Sequence, residues 1–185
     1  MLTILPLSEA MIPLYNQIDN RYLVGELAAV RVARSGFSLE YMPLGKAEWR
    51  TYPPESLFTP QELLKRKDAV CFFGFLDGQP VGQAVAARHW NNLAMLWDIR
   101  VDVRSRRKGV GKALLEACRS WAIHQGLKGI MLETQDGNPV ACQFYQSCGF
   151  VLGGVDRMLY AATPKQAQKP PALRDSALFF YLLFD

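Results

Sequence analysis

The sequence has only two histidines, His89 and His124, and its four cysteines, Cys71, Cys118, Cys142 and Cys148, form no CxxC pair. A zinc site therefore lacks its usual donor set, and no metal is expected. Cys71 and Cys118 sit inside apolar periodic runs and read as reduced core residues. No apolar run approaches the ~18 residues needed to span a membrane. The start "MLTILPLSEAMIPL" has no basic residues ahead of its apolar stretch, and Ser8 and Glu9 come early. It does not have the form of a signal peptide. The reading expects a soluble cytoplasmic protein without a membrane partner. A large charge surplus is missing too. Lys and Arg number 21 against 17 Asp and Glu, a formal net charge of +4. That permits an anionic partner and does not require nucleic acid.

What is present suits one domain: 185 residues, half of them hydrophobic. "LTIL" reads as a first strand, and "EAMIPLYNQI" has helical spacing broken by Pro13. "RYLVGELAAVRVARSGFSLEYMPL" reads as two extended segments joined near Ser35-Gly36. "TPQELLKRK" opens with a capping Thr59 and with Pro60 at the first helical position. "AVCFFGFLDGQPVGQAVAARHW" is a β-hairpin about Asp77-Gly78. "NLAMLWDIRVDVR" is a further strand, in which alternation puts Asp98, Arg100 and Asp102 on one face. From residue 110 to 125, Val110, Ala113, Leu114, Ala117, Cys118, Trp121 and Ala122 recur at helical spacing, and Gly126 ends the run. "GIMLET" reads as a strand. Asn138 and Pro139 then open a short helix that Gly149 closes. "VLGGVDRMLY" and "ALFFYLLF" are strands, and the Pro-containing "TPKQAQKPPALRD" between them is a loop. This order predicts one α/β domain with a mixed sheet.

From the end of the strand "NLAMLWDIRVDVR" into the long helix runs "RSRRKGVGKALLEA", with five basic residues in its first nine. A strand, a glycine loop and a helix start make an anion site, because free backbone N–H groups and the helix dipole point at the ligand. The nucleoside-triphosphate loop GxxxxGK[ST] is excluded, because Ala113 follows Lys112. The dinucleotide fingerprint GxGxxG is excluded by Leu114. The pattern left is R-x-x-G-x-G, formed by Arg106, Gly109 and Gly111. A basic run read by nucleic acid is disfavoured, because glycines interrupt it and a packed helix follows.

That hexapeptide resembles the acyl-CoA loop of the Gcn5-related N-acetyltransferases. "GIMLETQDGNPVACQFYQSCGF" resembles the same family's strand and following N-x-x-A-x-x-F-Y segment, here Asn138, Ala141, Phe144 and Tyr145, closed by Gly149-Phe150. The resemblance covers about residues 70–160, with a C-terminal strand at about 176–184. It departs at Arg107, where many members carry glycine. "WDIRVD", "LETQD", "ACQFYQSCGF", "VDRMLYA" and "FFYL" resemble one branch of the family, the streptothricin acetyltransferases.

The resemblance implies a single domain over 1–185, a mixed sheet with splayed strands flanked by helices, and acetyl-CoA as acyl donor. The loop amides from Arg107, Lys108, Gly109, Val110, Gly111 and Lys112 would cradle the diphosphate, with Arg104, Arg106, Arg107, Lys108 and Lys112 supplying positive field. Val101 and Val103 would bond the pantetheine arm along an open strand edge, and Asn138 and Ala141 would meet the same arm. Asp98 is the first choice for the base that takes the amine's proton, with Glu133 second. Tyr145 would protonate the leaving thiolate. Acetyl-cysteine chemistry at Cys142 or Cys148 is disfavoured, because no histidine is near either in the sequence. Glu40, Tyr41, Glu133, Asp156 and Tyr160 are candidates for holding a cationic small-molecule amine, with Trp49 and Tyr52 beside them. The implied acceptor is the β-lysine amine of streptothricin, and its acetylation would give antibiotic resistance. Another amine (a polyamine, an aminoglycoside, a protein lysine) and a non-catalytic acyl-CoA-binding module are the alternatives. Oligomeric state, a homodimer included, stays open.

Overall fold

The computed structural model describes residues 1–52, 57–170 and 174–184. In chain order its elements are β1 (Leu2–Pro6), a 3-10 helix (Glu9–Leu14), β2 (Tyr22–Ala33), β3 (Gly36–Arg50), α1 (Pro60–Lys65), β4 (Ala69–Leu76), β5 (Gln79–Arg88), β6 (Ala94–Val101), a 3-10 turn (Val103–Ser105), α2 (Val110–His124), β7 (Gly129–Gln135), α3 (Pro139–Ser147), β8 (Val151–Asp156), one helical turn (Pro164–Ala167) and β9 (Ala177–Leu183). They fall into two compact units. The first comprises Met1–Arg21, Thr51–Met131 and Leu183–Asp185; the second comprises Tyr22–Arg50 and Leu132–Leu182. β7 begins in the first and ends in the second.

In the first unit the strand order is β1-β4-β5-β6, followed by β7. The pairs β1–β4, β4–β5 and β5–β6 are antiparallel. β6 and β7 are joined by a crossover through α2, the kind of connection that parallel neighbours need. Asp77 and Gly78 take φ of 50° and 80°, so the hairpin between β4 and β5 turns with both central residues left-handed. Thr59 and Glu62 form the reciprocal capping box that opens α1. One face of β4 and β5 joins Tyr15 and Leu63 in a core of Ala69, Cys71, Phe73, Val85 and Ala87. The other face receives α2, whose buried stripe is Val110, Leu114, Leu115, Cys118 and Ala122. Gly82 decides how closely that helix sits. A Cβ there would lie 2.8 Å from Leu114 Cδ1, 2.9 Å from Val110 Cγ1 and 3.2 Å from the Arg100 carbonyl.

The second unit holds β2 and β3 as a separate antiparallel ribbon turning at Arg34-Ser35. It also holds the strand order β7-β9-β8, with β8 and β9 antiparallel. Leu132, Cys142, Leu178 and Phe180 are fully buried there. Tyr145 of α3 packs its ring 5.7 Å from Phe150 and 6.0 Å from Phe180, centroid to centroid.

Four expectations change. Pro13 does not break the first helical stretch, because the chain there is 3-10, with Met11 N–H bonded to Ser8 and Tyr15 N–H to Ile12. β6 ends at Val101, so Asp102 does not share a strand face with Asp98 and Arg100; its carboxylate instead caps the next turn by accepting the Arg104 N–H at 2.9 Å. β8 stops at Asp156, whose Oδ1 accepts the N–H groups of Met158 and Leu159 and turns the chain. The long loop after it carries a helical turn at Pro164–Ala167, and residues 171–173 of that loop lie outside the described residues.

Candidate functional site

The basic loop folds by left-handed backbone at two places, Arg107 (φ 60°) and Gly109 (φ 83°). Gly109 is the N-cap of α2 and supplies no side-chain cap. The first-turn N–H groups of a helix have no partner inside it, so this turn presents bare donors at the positive end of a fifteen-residue helix. Arg104, Arg107, Lys108 and Lys112 are exposed around it. Arg106 behaves differently. Its guanidinium turns inward, donating from Nη2 to the Asn20 carbonyl at 3.0 Å and from Nε to the Val101 carbonyl at 3.3 Å. Burial lowers its pKa, against the pull of Asp19 and Asp102. Arg106 thus shapes the loop from within, and the outward field comes from the other four cations.

Along β6, Asp102 N–H bonds the Val81 carbonyl at 2.8 Å. The antiparallel alternation then turns the N–H and C=O of Val101 to the edge away from β5. Val103 departs from expectation, because it lies in the 3-10 turn and its N–H donates to the Asp19 carbonyl at 3.0 Å. Asp98 is also engaged. Arg100 donates to both of its oxygens at 2.9–3.0 Å, and Gln83 Nε2 donates to Oδ2 at 2.8 Å. A carboxylate that accepts four hydrogen bonds from three donor nitrogens has little lone-pair capacity left for a further partner.

In the second unit, Asn138 caps α3 by accepting the Ala141 N–H at 3.1 Å, so Asn138 and Ala141 come together at the helix start. Tyr145 lies one turn further on, 7% exposed. Glu133 projects from β7 and accepts the Tyr160 hydroxyl. Burial pushes its carboxyl up to about 7. The remaining acceptor candidates separate. Glu40 is paired with Arg31 within the ribbon. The Tyr41 hydroxyl donates to Gln146 Oε1 at 2.6 Å and so fastens β3 to α3, and burial pushes its pKa up to about 12. Asp156 uses only Oδ1 for its two backbone bonds. Trp49 is 60% exposed on β3. Two residues escaped the sequence reading. Gln83 looked like one polar residue in an apolar strand, yet it is fully buried and hydrogen-bonded. Gly82 carried no motif, and only its close approach to α2 marks it.

Arg107 keeps a left-handed conformation that costs an L side chain roughly 1–2 kcal/mol. Arg107→Gly is expected to raise stability by about 1 kcal/mol, measured by urea denaturation, with one local charge lost. A destabilised variant would show that the arginine side chain holds the loop by contacts that outweigh its backbone strain.

Comparison with known proteins shows the family. A sequence model described as the acetyltransferase (GNAT) family matches residues 18–150. The chain is 31% identical over 163 residues to a streptothricin acetyltransferase of Escherichia coli, covering 88% of this chain and 86% of that one. It is 36% identical over 121 residues to streptothricin acetyltransferase A of Bacillus subtilis (strain 168), covering 65% and 66%. Among solved structures, it is similar to a Bacillus anthracis (strain Ames) protein described as a streptothricin acetyltransferase, in complex with acetyl coenzyme A. That likeness has a TM-score of 0.89, 28% identity and full coverage of both chains. Nourseothricin acetyltransferase has the same fold, with a TM-score of 0.79 at 22% identity over 98% of each chain. The chain belongs to the acetyltransferase (GNAT) family, with one GNAT domain of α/β class built on a mixed seven-stranded sheet.

Proposed function

We propose that the protein is an acetyl-CoA-dependent N-acetyltransferase that acetylates an amine of streptothricin, at its β-lysine moiety, and so confers resistance to it. The observation that carries this reading is the start of α2, where uncapped amides meet four outward cations in a family of acetyltransferases. The likeness to streptothricin acetyltransferases across 88% of the chain supports the choice of acceptor.

Acetyl-CoA supplies an acetyl thioester, which becomes an amide of the acceptor amine with release of the thiol. The chain's own residues bind the donor, strip a proton from the acceptor and return one to sulfur. The amides of residues 107–112 hold the diphosphate, with Arg104, Arg107, Lys108 and Lys112 adding attraction. The Val101 N–H, on the edge of β6 away from β5, bonds the pantetheine arm. An alkyl ammonium with a pKa near ~10.4 is almost wholly protonated at neutral pH, so a base is required. We assign that role to Glu133 in preference to Asp98. With its pKa near 7, Glu133 is about half ionised at neutral pH and its proton affinity suits the task. Tyr160 holds the carboxylate in place. Tyr145 gives its hydroxyl proton to the departing thiolate. Asp156 Oδ2 supplies negative charge for a polycationic acceptor; Glu40 is already paired with Arg31.

The purified protein with acetyl-CoA is expected to yield monoacetylated streptothricin by mass spectrometry, and expressing cells are expected to grow on the drug. Turnover of some other amine, with no mass gain on streptothricin and no protection, would replace the acceptor and leave the transferase standing. In the same assay, Glu133→Gln should lower kcat/KM at pH 7 by roughly 10²–10⁴-fold. It should also abolish the acid limb that protonation of Glu133 produces as pH falls through about 7. An acid limb retained in this variant would assign the base elsewhere.

A further inference from the structure

The most buried polar group of the first unit lies outside the machinery described above. Gln83, in the middle of β5, is fully buried, and each polar atom of its amide has a partner. Oε1 accepts the backbone N–H of Asn16 at 2.9 Å. Nε2 donates to Asn16 Oδ1 at 2.9 Å and to Asp98 Oδ2 at 2.8 Å. Asp98 is itself gripped by Arg100, only 6% exposed, which pairs with Gln83 across β5 and β6. On the far side of Gln83 the chain cannot turn freely. Asn16 has φ of 60°, a left-handed conformation that asparagine tolerates better than most residues.

What this cluster holds is the stretch 16–20, which runs on to meet the acyl-donor loop. The Asp19 carbonyl takes the Val103 N–H at 3.0 Å. The Asn20 carbonyl takes Arg106 Nη2 at 3.0 Å, and its side-chain oxygen accepts the Thr51 hydroxyl at 2.7 Å. Arg106 also binds back to Val101 at the end of β6. Hydrogen bonds at Asn16 and at residues 19–20, joined by the short stretch of backbone between them, thus connect the centre of β5 to both ends of the turn preceding the loop. An unpaired carboxamide in the core would be costly; a fully satisfied one rigidifies its surroundings. Arg107, one residue beyond Arg106, sits in a left-handed conformation that the loop must be held in.

We propose that Gln83 is a positioning residue for acyl-donor binding. Together with Asn16, Asp98 and Arg100 it forms an internal brace that fixes residues 19–20, and these fix Val103 and Arg106 so that the loop amides are preset for the donor's diphosphate. Asp98 belongs to this brace. The inference rests on the acetyl-CoA-dependent reading above, and it concerns donor affinity alone. It predicts no change in proton transfer.

The test is Gln83→Met, which keeps the length of the side chain and removes its hydrogen bonds. Its companion is Asn16→Gly, which keeps the left-handed backbone and deletes only the side-chain link. Acetyl-CoA is titrated calorimetrically into parent and variants, and kcat and KM are followed over pH. Both variants are expected to bind acetyl-CoA about 5–20-fold more weakly, with KM for the donor rising in step. The kcat at saturating donor should stay within about twofold, with an unshifted pH profile. If Gln83→Met does not fold, Asn16→Gly carries the same expectation. Donor affinity equal to the parent's in a folded variant overturns the brace. So does a loss confined to kcat with a displaced pH profile, which would return Asp98 to the chemistry. If the parent itself fails to bind acetyl-CoA, the donor reading falls first and the brace with it.

Discussion

The seat of α2 on the sheet is the constraint on which the rest depends. Gly82 and Gly74 remove the side chains that would keep Val110 and Leu114 away from β5 and β4. A methyl group at Gly82 would lie 2.8 Å from Leu114 and 2.9 Å from Val110, and one at Gly74 would lie 3.2 Å from Val110 and 3.3 Å from Ile4 of β1. Because the first turn of α2 is seated by packing, it needs no side-chain cap, and its amides stay open to a ligand. A capping serine or aspartate in place of Gly109 would add only about a few tenths of a kcal/mol over glycine and would occupy one of these amides. Packing on one side of the helix start therefore makes binding possible on the other.

Charge is arranged to the same end. Four cations around the loop face outward, whereas the two arginines that could have joined them, Arg100 and Arg106, are turned into the protein and spent on Asp98 and on carbonyl groups. The internal pair is partly buried, with the Arg100 side chain 5% and the Asp98 side chain 19% exposed. Its value is geometric more than energetic, since a buried pair contributes little net stability against the desolvation of its members. In the second unit the acidic groups divide between structural work at Glu40 and Asp156 Oδ1 and a carboxyl at Glu133 whose burial raises its proton affinity.

Much of this was legible in the sequence because it is local. The Asp77-Gly78 hairpin, the Thr59–Glu62 cap, the α2 stripe and the Asn138-Pro139 helix start each depend on neighbours within a few residues. The glycine loop was legible for the same reason, as was its departure at Arg107, which the left-handed backbone turns into strain. The roles of Arg106, Val103 and Asp98 were not, because each is decided by a partner far away in the chain: Asn20, Asp19 and Gln83. Motif position told where Arg106 stands, but not that its guanidinium points inward. Glu133 stood second to Asp98 as base, since burial and the contact with Tyr160 are tertiary facts. The early end of β8 escaped for a related reason: alternation continues through "DRMLY", and only the bonds Asp156 makes to the backbone reveal the turn.

The central claim is that the uncapped amides of residues 107–112 receive the phosphates of the acyl donor. Hydrogen–deuterium exchange, followed amide by amide with and without acetyl-CoA, tests it most directly. The account predicts that these amides exchange fast in the free protein, because none of the first-turn donors has a helical partner, and become strongly protected on binding. Binding without protection at the start of α2, or protection located elsewhere, would contradict it.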